Sequence, residues 1–150
     1  MSIILTIELV PKTCWYSNVR SEVSKDEWDK IKRTVSSSAG YKCEICNGKG
    51  PKWPVECHEI WSYDNGVQRL ERFIALCPSC HEVKHIGLAT IKGRREIVVD
   101  HFAKVNVLSL EEANKYVLEA FNIWHTRSQH QWSLDISYLD VFKVNNDLSK

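Results

Sequence analysis

No stretch of this chain is apolar for long enough to cross a bilayer, neither sign of charge prevails, and there is no internal repeat or low-complexity segment. Each absence narrows the reading. Residues 1–10 contain an apolar run, but Thr6 and Glu8 interrupt it and no basic segment precedes it. It therefore reads neither as a membrane anchor nor as a signal peptide. Without an export signal a reducing, cytoplasmic compartment is expected, where paired cysteines serve metals rather than disulfides. Twenty Lys and Arg against nineteen Asp and Glu leave a formal charge of +1. That balance neither demands nor excludes nucleic acid. Attraction to phosphates must come from a local patch and from bound cations.

What is present describes an ordinary soluble protein, 43% hydrophobic and 26% charged. Its 150 residues fit one domain, able to bury about 68–70% of its unfolded surface without disulfides. Residues 3–10 read as a strand ended by Pro11. Ser24-Lys25-Asp26-Glu27 is a capping box, with Val23 and Trp28 at staple spacing. A helix over residues 25–37 follows, burying Trp28, Ile31 and Val35. Residues 55–63 and 67–76 read as strands joined by Asp64-Asn65-Gly66, a type I′ turn signal. Pro78 suits the first turn of a helix carrying His81 and His85. Helices are expected over 96–105 and, from the capping box Ser109-Leu110-Glu111-Glu112, along a face of Leu110, Ala113, Val117, Ala120, Phe121 and Trp124. Residues 132–138 alternate like a short strand, with a helical turn as the alternative, and residues 145–150 are expected to be disordered. The fold class is α+β.

The chemistry lies in the middle of the chain. Cys43-Glu44-Ile45-Cys46 and Cys77-Pro78-Ser79-Cys80 are two Cys-x-x-Cys pairs separated by residues 47–76. Each pair places two thiolates on one tight turn, and together they supply the four ligands of a tetrahedral zinc ion. Such a site has no open position; its role is to pin the hairpin to the following helix, so that metal-binding energy becomes folding energy. Cys14 and Cys57 have no such partners, and Cys57 reads as a small buried hydrophobe.

The second pair runs directly into His81-Glu82-Val83-Lys84-His85. Histidines four apart share a helix face and can hold one divalent cation with positions to spare. They can equally be surface histidines, or His81 can replace a cysteine at the zinc. Context favours the first reading, because the strand carrying Glu56-Cys57-His58-Glu59-Ile60 is expected beside that helix, with His58 in reach of the same cleft.

Across residues 41–87 these words together resemble the HNH nuclease family. They are the paired Cys-x-x-Cys, a His on the first strand, and Leu76-Cys77-Pro78-Ser79-Cys80-His81 followed by His85. The resemblance implies a zinc-bound ββα-metal core at residues 41–87, with a strand-helix arm at 1–40 and helices at 88–150. It implies an endonuclease that hydrolyses phosphodiester bonds in DNA, or in RNA, in a bacterial or phage-infected cell. His81 and His85 would hold Mg²⁺, Mn²⁺ or another divalent ion, and His58 would be the general base. A register shifted by one would make His58 a ligand and set Glu59 at the base position. The first is preferred, because a solvated Glu is a poor base near neutral pH. Arg72 falls where the family carries its middle Asn, and would bind phosphate or be a surface charge.

Lys84, Lys92, Arg94 and Arg95 follow the site and are the residues expected to meet phosphates, although a solvated face explains the last three equally well. Of the six tryptophans, most are expected in the core; Trp61, following His58 on its strand, is the one candidate for base stacking. His101, His125 and His130 lack metal spacing and are expected to be structural or exposed. A single site of this kind cuts one strand, so cleavage of both would require a homodimer or two visits. The alternative to an enzyme is a non-catalytic zinc module that binds nucleic acid or a protein.

Overall fold

In the computed structural model, which describes residues 3–15 and 18–140, the hairpin is the organising element. Strands β1 (Glu56–Asp64) and β2 (Val67–Leu76) pair antiparallel from Glu56↔Leu76 to Asp64↔Val67. The turn between them puts Asn65 at φ 47° and Gly66 at φ 74°, the left-handed pair a type I′ turn requires. Partners run Ile60↔Arg72 and then Trp61↔Leu70. Glu71 is thus the extra residue of a β-bulge, which leaves Glu71 and Arg72 exposed between buried Leu70 and Phe73. Along β1 alternation is unbroken. Glu56, His58 and Ile60 share one face; Cys57, Glu59 and Trp61 share the other.

Six α-helices and a short 3-10 turn at Lys12–Cys14 surround this sheet among the described residues. A four-residue helix, α1 (Val19–Glu22), leads to α2 (Lys25–Ser38). The capping box at α2 forms as expected: Ser24 accepts from the Glu27 amide, and the Glu27 carboxylate accepts from the Ser24 amide. Ile31 and Val35 enter the core, and Trp28 meets Phe73 edge-on at 6.2 Å. After β2 come α3 (Pro78–Lys84), α4 (Ile86–Ile91), α5 (Arg95–Asn106) and α6 (Leu110–Arg127). Val98, Val99 and Phe102 of α5 and Ala113, Val117 and Ala120 of α6 are buried in one hydrophobic core with Leu76, Val83 and Ile86. No helix among the described residues is long and apolar enough to cross a membrane.

Two expectations about strands change. Residues 3–10 form no strand and pair with no sheet. Its alternation still decides its burial, with Leu5 and Ile7 inside. A side chain takes the place of a neighbouring strand. Asn106, 4% exposed, accepts from the amides of Ile4 and Leu5 at 2.9 and 3.0 Å and donates to Leu5 O and Phe102 O. Of the strand expected over residues 132–138, only Ser133–Asp135 forms β3, lying parallel to β2. The tail at residues 145–150 lies outside the described residues.

Asn106 therefore carries four bonds that water cannot replace. Asn106→Ala should lower stability by roughly 2–4 kcal/mol, read as a lower urea midpoint with little change in slope.

Candidate metal centres

The first Cys pair sits on a loop that the sheet itself docks. Glu44 N donates to Ala75 O at 2.9 Å, and the Glu44 carboxylate accepts from Ala75 N at 2.7 Å. Its other oxygen meets Arg72 Nη2 at 2.8 Å, and Arg72 Nε donates to Phe73 O. The loop turns back on itself through Cys43 N donating to Gly48 O. Gly50 then passes so close to the start of α3 that a Cβ there would stand 2.6 Å from Pro78 Cδ. The second pair opens α3, where Cys77 is the N-cap and its sulfur accepts from the Cys80 amide.

These two devices bring Cys43, Cys46, Cys77 and Cys80 together, all four sulfurs within 4.8 Å of one another. Cys46 Sγ and Cys77 Sγ are 3.6 Å apart. Zn–S bonds of about 2.3 Å at tetrahedral angles set sulfurs about 3.8 Å apart, so the cluster has the dimensions of a zinc site. Its electrostatics agree. A bond from Cys80, with amides of Cys46 and Ile45 adding to it, holds the Cys43 thiol down at about 4, while Cys80 and Cys77 are pushed up. The Cys43 thiolate is thus favoured at the expense of Cys77 and Cys80, and a cation is what lets the cluster ionise together. The four-cysteine cluster could bind zinc.

One residue further along α3 begins a second cluster. Ring nitrogens of His58, His81 and His85 lie within 4.8 Å of one another, with ring centroids 4.7–5.4 Å apart. α3 ends at Lys84, so His85 caps it rather than lying inside it, yet the spacing of four still brings the rings together, edge to face. His85 Nε2 and His81 Nε2 are 3.1 Å apart. Two nitrogens on one small divalent ion stand about 3.0–3.4 Å apart. His81 Nδ1 meets Glu56 Oε1 at 2.9 Å, so Nδ1 carries a proton and Nε2 is the nitrogen turned to the cluster. Burial, reinforced by the neighbouring imidazoles, drops the His58 pKa to about 2 and that of His85 to about 4. Both rings are neutral near pH 7, the state in which imidazole binds metal.

The other expected site residues are dispersed. Glu59 lies on the opposite face of β1, half-buried, where it accepts from the Val19 amide; burial raises its pKa. Trp61 shares that face and packs on the core, which removes it from the cleft. Cys57 packs there too, its thiol pushed up to about 12 by burial. Arg72 is held by Glu44. Lys84 corrects the expectation of a phosphate contact: it is 7% exposed, and its ammonium is bound by Thr6 Oγ1 and Glu8 Oε2 at 2.9 and 3.1 Å. It fastens residues 6–8 to α3. Arg94 is paired with Glu82, and Arg95 lies over the Phe121 ring at 5.4 Å. Lys92 alone of the four is exposed with no ion pair among the described residues.

Two site residues escaped the sequence reading. Glu56 was findable, because strand alternation sets it on the face of His58. His101, whose Nε2 lies 3.2 Å from Cys80 Sγ, is brought in by helix packing and has no local signal. Comparison with known proteins finds no match: no family model, curated protein or solved structure resembles the chain closely enough to count.

Two predictions follow from the imidazole cluster. Glu56→Gln should weaken Mn²⁺ or Co²⁺ binding there by roughly 10–100-fold in calorimetry, while zinc stays near one per chain. Folded-state pKa values of about 4 and about 2 for His85 and His58 lie below the unfolded value of about 6.5. The stability they contribute is complete above about pH 6.5 and is lost as pH falls toward the folded-state values. The zinc-loaded protein should therefore have a lower denaturation midpoint at about pH 5.5 than at pH 7, and His58→Phe should shrink the difference.

Proposed function

We propose that this chain is a metal-dependent phosphodiesterase of the HNH type that cuts nucleic acid, DNA in the first instance. The observation that carries the reading is the three-histidine cluster, its nitrogens within 4.8 Å, set on a hairpin and helix whose joints hold the four cysteines. The order of parts resembles that of a ββα-metal unit: loop cysteines, strand histidine, return strand, then a helix that carries His81 and ends at His85. Three protein ligands leave coordination positions open for water and substrate, as catalytic sites require and four-cysteine sites forbid.

A divalent ion held by His58, His81 and His85 would neutralise a phosphodiester's charge and stabilise the extra charge that builds on its oxygens. The protein's own part is orientation. Glu56 fixes the tautomer and direction of His81. The four-cysteine cluster fixes α3, and with it both helix imidazoles. We assign His58 to the ligand set rather than to proton abstraction. A ring whose pKa is depressed to about 2 is a weak proton acceptor at neutral pH, while its neutral lone pair is available to a cation. The general-base assignment differs in outcome: it requires His58→Ala to keep the cation and lose only cleavage.

A second reading, a non-catalytic zinc module, draws on one observation. Lys84, Arg94 and Arg95 are engaged within the protein, which leaves a weak phosphate-binding surface at the expected place. Supercoiled plasmid separates the two. With Mg²⁺ or Mn²⁺ the wild type should nick it, and His81→Ala and His85→Ala should lose more than the roughly 10–100-fold typical of an outer-shell change. An absence of cutting across divalent ions and across DNA and RNA substrates would leave the zinc module standing.

A further inference from the structure

His101 reaches the four-cysteine cluster from α5, with Nε2 3.2 Å from Cys80 Sγ. A sulfur and a nitrogen bound to the same zinc ion would stand about 3.6 Å apart, from bonds of about 2.3 and 2.0–2.1 Å. The shorter separation suits an N–H donated to a thiolate. Four sulfurs within 4.8 Å of one another can fill the four positions of a zinc ion, so the imidazole is not needed as a ligand.

The sulfurs differ in what else they meet. Cys43 accepts from the amides of Ile45 and Cys46, and Cys77 from the amide of Cys80. Cys46 is exposed, so water reaches it. Cys80 is 0% exposed, and His101 Nε2 is the ring nitrogen that reaches its sulfur. Four thiolates around a divalent ion carry an excess of two negative charges. A sulfur buried away from water needs a donor to disperse its share.

We propose that His101 is a positioning residue of the zinc-type cluster, donating Nε2–H to the Cys80 thiolate and tying α5 to the metal centre. A neutral imidazole has one N–H to give; given to Cys80, it leaves Nδ1 as an acceptor. The donor lowers the electron density on Cys80 and so slows its protonation and the loss of the metal. This role is independent of any nuclease activity, because it concerns the closed site alone.

The test uses zinc-loaded full-length protein. His101→Phe keeps the packing and removes the donor; His101→Gln keeps an N–H. Zinc transfer to a chromophoric chelator should be roughly 10–100-fold more favourable for His101→Phe than for wild type, with His101→Gln recovering most of the loss. The Co²⁺-substituted wild type should show the absorption of four thiolates. Equal zinc retention in His101→Phe, or a Co²⁺ spectrum of three thiolates and one nitrogen, would overturn the proposal. If His101→Phe does not fold, ring ¹⁵N shifts of the zinc-loaded wild type decide. A protonated Nε2 on His101 is expected, and an unprotonated one overturns the assignment.

Discussion

Four sulfurs converging at the foot of the hairpin are the constraint on which the geometry of this protein rests. Cys43 and Cys46 lie on a loop that Glu44 stitches to Ala75 of β2. Cys77 and Cys80 open α3 directly after that strand. Closing the cluster fixes the angle at which α3 leaves the sheet. His81 follows Cys80 without a spacer, so whatever orients the cysteines orients the imidazoles. His58 needs no further device, because alternation along β1 turns it and Glu56 toward the same helix. Through His101, α5 is tied into the same arrangement.

The two clusters are chemically unlike, and the difference explains why one chain would carry both. Thiolates are soft and charged; four of them saturate a zinc ion and bind it as a structural part. Imidazole nitrogens bind divalent ions less tightly, and three of them leave coordination positions unfilled. Burial serves each in its own way. At the cysteines it makes ionisation without a cation costly, so that metal and fold are linked. At His58 and His85 it depresses proton affinity and keeps those two rings neutral near physiological pH. The proposed nuclease chemistry belongs to the open cluster alone.

The elements legible in the sequence were those specified by local rules. Asn65-Gly66 set the hairpin, Ser24 and Ser109 with Glu27 and Glu112 set two helix starts, and Pro78 set a third. The cysteine cluster was legible for the same reason, since its spacing is local. What misled was decided by partners distant in sequence. Residues 3–10 alternate like a strand and bury like one, but the amides that a strand would pair are taken by Asn106, about a hundred residues away. Lys84 looked like a surface cation beside two histidines, but that same segment covers it with Thr6 and Glu8. The bulge at Glu71 sets Arg72 toward Glu44, which no periodicity in β2 foretells. His101 reaches the cysteine cluster only because α5 packs against α3.

The most direct test is a crystal structure of zinc-loaded protein soaked in Mn²⁺, with anomalous data that distinguish the two metals. Zinc is expected among Cys43, Cys46, Cys77 and Cys80. Manganese is expected on nitrogens of His58, His81 and His85, with at least one coordination position filled by solvent. Manganese absent from that cluster, or bound there without His58, would contradict this assignment.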